Sequence, residues 1–106
     1  MPVYLAGYVI GTPAGATPTI RFGSGFSVTR QLVAGSYRIT VPLATSTRFF
    51  APVATPVTLH TIARIALVQR DATTGIVTFD IEIRDLTTDA LVDGDFSFIA
   101  FERSGP

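Results

Sequence analysis

Residues Asp95–Glu102, with the sequence D-F-S-F-I-A-F-E, decide the fold of this chain. They lie close to the C-terminus, where chains usually fray, yet they include three of the eight phenylalanines. In a β-strand, successive side chains point to opposite faces. Phe96 and Phe98 therefore share one face and can fill the core of the domain. Ile99 and Phe101 share the other face, which is also apolar and needs a cover, either from this chain or from another copy of it.

The composition is that of one small globular domain with little surface charge. At 106 residues the chain is predicted to form a single domain, residues 1–106, with residues 103–106 as a tail. Charged residues make up only 15% of the chain, against a usual share of about 25%. Less charge is then available to cover a free surface, which favours an assembly. The formal net charge is zero, which removes the electrostatic case for binding nucleic acid or an anionic membrane.

The sequence shows neither cysteines for disulfide bonds nor the pattern of a signal peptide. The chain has no cysteine, so its stability must come from packing rather than disulfides, and oligomerisation can add to it. Met1–Val3 introduces neither the basic region nor the long apolar region of a signal peptide. The apolar runs are far shorter than the ~20 residues of a membrane helix. We therefore expect a protein that is made in the cytoplasm, does not insert into a membrane and can belong to a virion or an extracellular assembly.

Turn residues divide the chain into about eight short segments that are rich in β-branched and aromatic residues. One of these segments also has a helical alternative, through Ile62 and Ile65, but its surroundings favour a strand. Regularly spaced strands without a convincing helix predict an all-β sandwich or barrel of antiparallel strands. The predicted strands are Val3–Ile10, Thr19–Phe22, Phe26–Leu32, Tyr37–Leu43, Phe49–Leu59 (an edge strand that bends between sheets), Ile62–Arg70, Ile76–Asp85 and Asp95–Glu102.

Alternation of apolar and polar residues is clearest in Ile76–Asp85 and in the hairpin partner Tyr37–Leu43. A slip of one residue in Ile76–Asp85 would bury two carboxylates, so its register is tightly set. We expect its outward polar row to pair with arginines on neighbouring strands, such as Arg38 or Arg64. The predicted inward residues are Tyr37, Ile39, Val41, Val77, Phe79, Ile81 and Ile83, and the outward row of Ile76–Asp85 is Thr78, Asp80, Glu82 and Arg84.

Candidate catalytic residues are sparse. His60 is the single histidine; it cannot form a multi-histidine metal site, and no acid or nucleophile motif accompanies it, so we expect a surface histidine. Gly23–Gly25 lacks the lysine of a phosphate-binding loop and the spacing of a nucleophile elbow, and it predicts a turn. The polar row on Ile76–Asp85 does not place two carboxylates across a cleft, as a glycosidase requires. We therefore expect no enzyme activity and no cofactor.

Asp89, Asp93 and Asp95 form an acidic group around a glycine. Carboxylates in such a loop can bind Ca²⁺ through their oxygens. Their spacing does not match the EF-hand loop, however, and aspartate is common in turns because it accepts local backbone hydrogen bonds. Turn residues are the favoured interpretation, and a calcium site is the alternative.

Tyr4 and Tyr8 are four residues apart in a predicted strand, so they share a face and can line an interface together. With Ile99 and Phe101 they form the predicted oligomer interface. Leaving Ile99 and Phe101 in water would forfeit roughly 1.5–3 kcal/mol each relative to burial, and a cyclic oligomer would hide them on every subunit.

Three segments together resemble a known class of β-sandwich: G-S-G-F-S-V-T-R at Gly23–Arg30, G-S-Y-R-I-T-V-P at Gly35–Pro42, and F-D-I-E-I-R-D with D-F-S-F-I-A-F-E within Phe79–Glu102. They resemble the small modules at the ends of phage tail fibres and bacterial collagen-like fibre proteins, of the C1q and tumour necrosis factor type. The resemblance implies a jelly roll that forms a homotrimer around a three-fold axis. No collagen repeat or coiled-coil stalk precedes it here, which a self-contained trimer or a domain cut from a longer fibre would explain.

The expected function is that of a structural module: a trimerising head of a phage or bacterial fibre, or a small component of a virion or injection machine. Its partners would be copies of itself and other fibre or virion proteins. The alternative is an oligomeric module that binds cell-surface glycans through its loops Gly11–Pro18, Ala44–Arg48 and Asp85–Gly94, with multivalency making weak sites effective. A third hypothesis is a small enzyme that uses His60 or the carboxylates.

Overall fold

A computed structural model describes the backbone of residues 3–11, 17–42, 48–71 and 73–104, and the side chains of these residues except 3, 4, 48–51 and 101–104. Every regular element in this part of the chain is a β-strand. The strands are β1 (Val3–Ile10), β2 (Thr19–Phe22), β3 (Ser27–Arg30), β4 (Ser36–Val41), β5 (Arg48–Pro56), β6 (Thr61–Arg70), β7 (Val77–Asp85) and β8 (Phe96–Ser104).

The strands form two four-stranded antiparallel sheets. Sheet I has the order β2-β1-β8-β5, and sheet II has the order β3-β4-β7-β6. The predicted all-β, antiparallel architecture is therefore confirmed, and β7 and β8, neighbours in sequence, lie in different sheets. The strand order does not show the jelly-roll connectivity that the resemblance implies.

The core lies between the two sheets and is built from the inward faces that alternation predicted. Phe98 of β8 contacts the rings of Phe26 and Phe79, at centroid distances of 4.9 and 5.4 Å. Tyr37 lies 5.2 Å from Phe96. The buried apolar side chains are Val9, Phe26, Val28, Tyr37, Ile39, Val41, Val77, Phe79, Ile81, Ile83, Phe96, Phe98 and Ala100.

Gly7 lets the aromatic core approach β1 closely. A Cβ at this position would lie 2.5 Å from the ring of Phe26 and 2.7 Å from that of Phe98. A glycine inside a strand is typical of a bulge or of a close neighbour. Both are found here, since the ladder between β1 and β2 also shifts register just beyond Gly7, between Tyr8 and Val9.

The strand boundaries differ from the predicted ones at a few points. β8 continues to Ser104, so two residues predicted as tail belong to the strand. β5 lies at the edge of sheet I as expected, but it stays in that sheet over its whole length. The crossing to sheet II occurs in the turn 57–60, before β6. Ile62–Arg70 forms a strand and not the alternative helix.

The two ends of the β6–β7 pair differ. At one end Thr61 pairs with Asp85, beside the connections 57–60 and 86–95; this is called the loop end. At the other end Arg70 pairs with Val77, beside the β6–β7 turn; this is called the hairpin end. No helix in the described part of the chain has the length and apolar character to span a membrane.

Candidate functional site

The outer face of sheet I, the side turned away from the core, is the candidate site. The ladders of β8 with β1 and β5 set the side chains of this face in rows. Directly paired residues in antiparallel strands point to the same side of the sheet. One row is Val53, Ile99 and Ala6, and the next is Thr55, Ser97, Tyr8 and Phe22. These seven residues are called the sheet I outer face.

Large apolar side chains on this face are open to solvent. Phe22 is 65% exposed, Val53 is 60% exposed and Ile99 is 46% exposed. The rings of Tyr8 and Phe22 meet edge to face, with centroids 6.1 Å apart at 90°. That geometry is a favourable aromatic contact, so it stabilises the positions of both rings on the surface.

The opposite side of the sandwich has a different chemistry. On the outer face of sheet II, Arg38 Nε donates to Asp80 Oδ1 at 2.8 Å. Arg64 Nε donates to Glu82 Oε1 at 2.8 Å, and Arg84 approaches the same oxygen at 3.4 Å. The predicted pairing of this polar row with Arg38 and Arg64 is confirmed. In contrast, none of the seven residues of the sheet I outer face is charged.

Two of the four predicted interface residues, Tyr8 and Ile99, belong to the sheet I outer face. The other two, Tyr4 and Phe101, are paired with each other in the β1–β8 ladder, two residues from the pair of Ala6 with Ile99. Their side chains lie outside the described part of the structure.

Sequence reasoning missed Phe22 and Val53. β2 has only four residues, too few for alternation to assign its faces, and its register depends on the irregularity after Tyr8. In β5 the prolines obscured the pattern. The sequence does contain apolar residues that could lie beside the predicted interface residues. Only the strand order, however, shows which residues are neighbours.

A second cluster centres on the carboxylate of Asp93. Arg30 of β3 donates to both of its oxygens, from Nε to Oδ1 at 3.1 Å and from Nη2 to Oδ2 at 2.8 Å. The Tyr37 hydroxyl donates to Oδ1 at 2.8 Å, and the backbone N–H of Gly35 donates to the same atom at 2.9 Å. The β7–β8 connection is thereby fixed to the β3–β4 turn.

The electrostatics of this cluster favour the ionised carboxylate. The Arg30 guanidinium, with the Gly35 N–H and the Tyr37 hydroxyl, lowers the pKa of Asp93 to about 2 against the opposing effect of desolvation. Burial, reinforced by the hydrogen bond to Asp93, raises the pKa of Tyr37. All three groups therefore keep one protonation state at neutral pH, so the cluster suits a structural role better than proton transfer.

The predicted alternative calcium site falls within this connection. The Asp93 carboxylate is paired with the Arg30 guanidinium, and Asp95 Oδ1 accepts the backbone N–H of Gly11 at 3.0 Å. Among the described residues there is no group of three or more histidine, cysteine or acidic side chains that could hold a metal ion. The Arg30–Asp93 pairing was not predicted, because the two residues are 63 positions apart.

His60 is an exposed residue in the β5–β6 turn, as the sequence predicted. Its φ is 60°, in the left-handed region, and its carbonyl accepts the N–H of Leu86 at 2.8 Å. Its backbone therefore joins two connections at the loop end.

The described ends of the loops predicted as glycan sites lie at two different ends of the sandwich. The connection Asp85–Gly94 lies at the loop end, and Gly11, which starts the loop Gly11–Pro18, is hydrogen-bonded to Asp95 beside it. β4 ends at Val41, which pairs with Val77 at the hairpin end. The loop Ala44–Arg48 therefore leaves from the opposite end of the sandwich, and its residues 44–47 lie outside the described part of the chain.

Comparisons of this chain with protein-family models, with curated proteins and with solved structures found no match.

Proposed function

We propose that this chain is a non-catalytic structural module that assembles with copies of itself through the sheet I outer face. The observation that supports this most strongly is the contrast between the two outer faces. The outer face of sheet II carries Arg–carboxylate pairs suited to water beside the exposed Ile62 and Leu67, whereas the seven described residues of the sheet I outer face include no charge and expose Phe22, Val53 and Ile99.

Burial of the apolar side chains supplies the driving force. Each large apolar side chain gains roughly 1.5–3 kcal/mol when it is fully buried. A second copy is a suitable occupant because an uncharged face meets its own copy without like-charge repulsion. Ser97 and Thr55, in the same row of this face as Tyr8, add hydroxyls that can be hydrogen-bonded across such a contact.

The size of the face is compatible with a stable contact. The rows of this face span Ser97–Ile99 of β8, and the pair of Tyr4 with Phe101 extends them to five residues. Strands lie about 4.8 Å apart and rise about 3.3 Å per residue, so a four-stranded face of this length covers roughly 320 Å² in projection. Side-chain relief raises the accessible area above that value, so the face can form the centre of an interface of the standard ~800 Å² per partner.

The resemblance to fibre heads implies three subunits around an axis and a place in a fibre, virion or injection machine. Tyr4 and Phe101 extend the proposed interface beyond Ile99 along β1 and β8. The glycan-binding alternative has weaker support, because the described residues that flank its three loops are divided between two ends of the sandwich.

The test introduces one charge into the proposed interface. Ile99→Asp and Phe101→Asp are each expected to convert the oligomer to a folded monomer of 11.3 kDa, because a buried unpaired carboxylate costs several kcal/mol. Mass is measured by light scattering and folding by circular dichroism.

Ile62→Asp is the matched control. Ile62 is a strand isoleucine on the outer face of sheet II and is exposed to a similar extent as Ile99. Its substitution is expected to leave the oligomer intact. A variant at Ile99 that keeps the wild-type mass, or an equal effect of Ile62→Asp, would reject the sheet I outer face as the interface.

A further inference from the structure

The edges of the two sheets differ in how they are protected. An edge strand presents unpaired backbone N–H and C=O groups, and proteins shield such edges with short strands or prolines. β2 and β3 have only four residues each, and β5 contains Pro52 and Pro56, which lack an N–H. The fourth edge strand, β6, has ten residues and no proline, and its residues 66–70 are all exposed. β6 is therefore the edge that is open to another strand.

The ladder with β7 fixes which backbone groups of β6 point outward. Ile83 N–H donates to the carbonyl of Gly35, next to β4, and successive residues of a strand turn their N–H and C=O groups to opposite sides. Arg84, and every second residue before it, therefore points towards β6. Their partners on β6 point back towards β7, and these are Ile62, Arg64, Leu67 and Gln69. Ala63 and Val68 have the opposite orientation and direct their N–H and C=O groups to the edge.

A bulge in β6 makes this strand complementary to its own copy. Ala66 has no partner on β7, because the register shifts between Ile65 and Leu67. A regular strand that pairs with β6 must leave one residue of β6 unpaired in this way. A second copy has its extra residue at the same place, so the two extra residues face each other and both halves stay in register. The edge therefore fits a second copy better than it fits a regular strand.

We propose that two copies pair antiparallel through β6, so that the four strands of sheet II in each copy form one continuous sheet. The two-fold axis lies between positions 65 and 66. Ala63 is then opposite Val68 of the second copy, and the two residues exchange backbone hydrogen bonds because both face the edge. A two-fold contact is self-complementary, so this pair occurs twice.

The side chains agree with this register. In it Arg64 is opposite Leu67 and Ile62 is opposite Gln69, and these four residues all pair with outward residues of β7. Every such pair therefore joins residues of one face, as an antiparallel ladder requires. A shift of one residue would join opposite faces. The register opposes no two arginines, and the aliphatic part of Arg64 covers Leu67, which is 39% exposed.

The contact goes beyond the proposed function, because it uses the edge of sheet II and not the sheet I outer face. One subunit can therefore take part in both contacts. Two paired strands without further packing are only marginally stable in water. The β6 pairing is accordingly expected at millimolar concentration, whereas association at micromolar concentration is assigned to the sheet I outer face.

The test follows the mass of Ile99→Asp, which lacks lateral association, by light scattering up to millimolar concentration. This variant is expected to pass from monomer to dimer. Adding Val68→Pro removes an N–H at the edge but no bond to β7, and it is expected to raise the dissociation constant at least about tenfold, since the two-fold axis repeats the loss. Val68→Thr, which keeps the N–H and the branched shape, is the control and is expected to dimerise. Circular dichroism checks the fold of each variant.

Cysteine mixing tests the register in the otherwise unmodified chain at millimolar concentration. Arg64→Cys and Leu67→Cys are each expected to stay unlinked alone and to form a disulfide when mixed. Equivalent positions of the two copies are offset by three residues, about 10 Å along the strand, which exceeds the ~7 Å limit between Cα atoms for a disulfide.

Three results would each overturn the proposal: an Ile99→Asp variant that is monomeric at millimolar concentration, equal association of Val68→Pro and Val68→Thr, or self-linkage of either single cysteine. An Ile99→Asp variant that keeps the wild-type mass at micromolar concentration rejects the proposed function alone, because the cysteine test measures the β6 contact without that substitution.

Discussion

Asp93 joins the last turn before β8 to the opposite side of the fold. Its carboxylate is held by Arg30, Tyr37 and the N–H of Gly35. Removing a partner from such a network leaves a partly buried charge without compensation, which is costly. The position of β8, and therefore of Ile99, depends on this residue.

Asp93 makes the stability of the domain depend on pH in the acid range. Its pKa is lowered to about 2, so its contribution of about 2 kcal/mol is present above pH 4 and is lost as the pH falls towards 2. We expect Asp93→Asn to lower the free energy of unfolding by about this amount at pH 6 and by little at pH 2. Urea denaturation at both pH values measures the difference. Asp89→Asn, on the same connection, is the control, and a pH-independent effect of Asp93→Asn would contradict the assignment.

Position 35 requires glycine, both for its backbone conformation and because neighbouring atoms lie close to it. Its φ is 74°, and a Cβ would lie 2.6 Å from the carbonyl oxygens of Ile83 and Val92. We expect Gly35→Ala to destabilise the domain by about 3 kcal/mol or more, since backbone strain adds to contacts that cannot relax. Gly25 has a φ of 86° but its nearest contact would be 3.3 Å, so Gly25→Ala is expected to cost only about 1–2 kcal/mol. Equal losses in thermal denaturation would refute the role of the close contacts.

Single strands and their faces could be predicted from the sequence where alternation is strict. β7 has one apolar and one polar face, and its inward residues, such as Phe79 and Ile81, are fully buried. The burial of Phe96 and Phe98 and the exposure of Ile99 also follow from alternation in β8. These features are local, because each depends only on which side of a strand a residue lies.

Strand order and long-range pairs could not be predicted in the same way. Phe22 lies beside Tyr8 because of a register shift between β1 and β2, and Arg30 contacts Asp93 across 63 positions of sequence. These contacts join residues that no periodicity relates. Alternation predicted that the outward sides of β7 and β8 differ in polarity, but the extent of this contrast across the two sheets required the neighbours of each strand to be known.

The two faces of β8 predict different responses to substitution. Phe98→Ala removes a buried ring and is expected to cost about 3–5 kcal/mol at any protein concentration. Ile99→Ala, one residue later, is expected to cost little at low concentration and more as the concentration rises, because its burial depends on association. Denaturation curves at several concentrations test this. If Ile99→Ala lowered the free energy of unfolding equally at every protein concentration, Ile99 would be buried within the monomer and not at an interface.

The two outer sides of the sandwich differ in charge. Arg–carboxylate pairs lie on the outer face of sheet II, beside the exposed Ile62 and Leu67, while the sheet I outer face exposes Phe22, Val53 and Ile99 and has no charged residue. A monomer in solution would leave that apolar face in water. The asymmetry of the sandwich therefore connects its fold to its proposed role as an assembling unit.

The symmetry of the assembly can be tested by a single cysteine, because the native chain has none. We expect Ile99→Cys to form disulfides between subunits under mild oxidation. In a trimer at most two of three cysteines can pair, so about one-third of the chains should stay unlinked. Ile62→Cys is the control and should stay unlinked. Complete linkage at position 99 would indicate a two-fold dimer instead.

The solution mass of the unmodified chain tests the central claim most directly. Light scattering over the micromolar range is expected to give a multiple of 11.3 kDa, three-fold if the resemblance to fibre heads holds. A single species of 11.3 kDa across that range would contradict the account, because the apolar outer face of sheet I would then be stable in water without a partner.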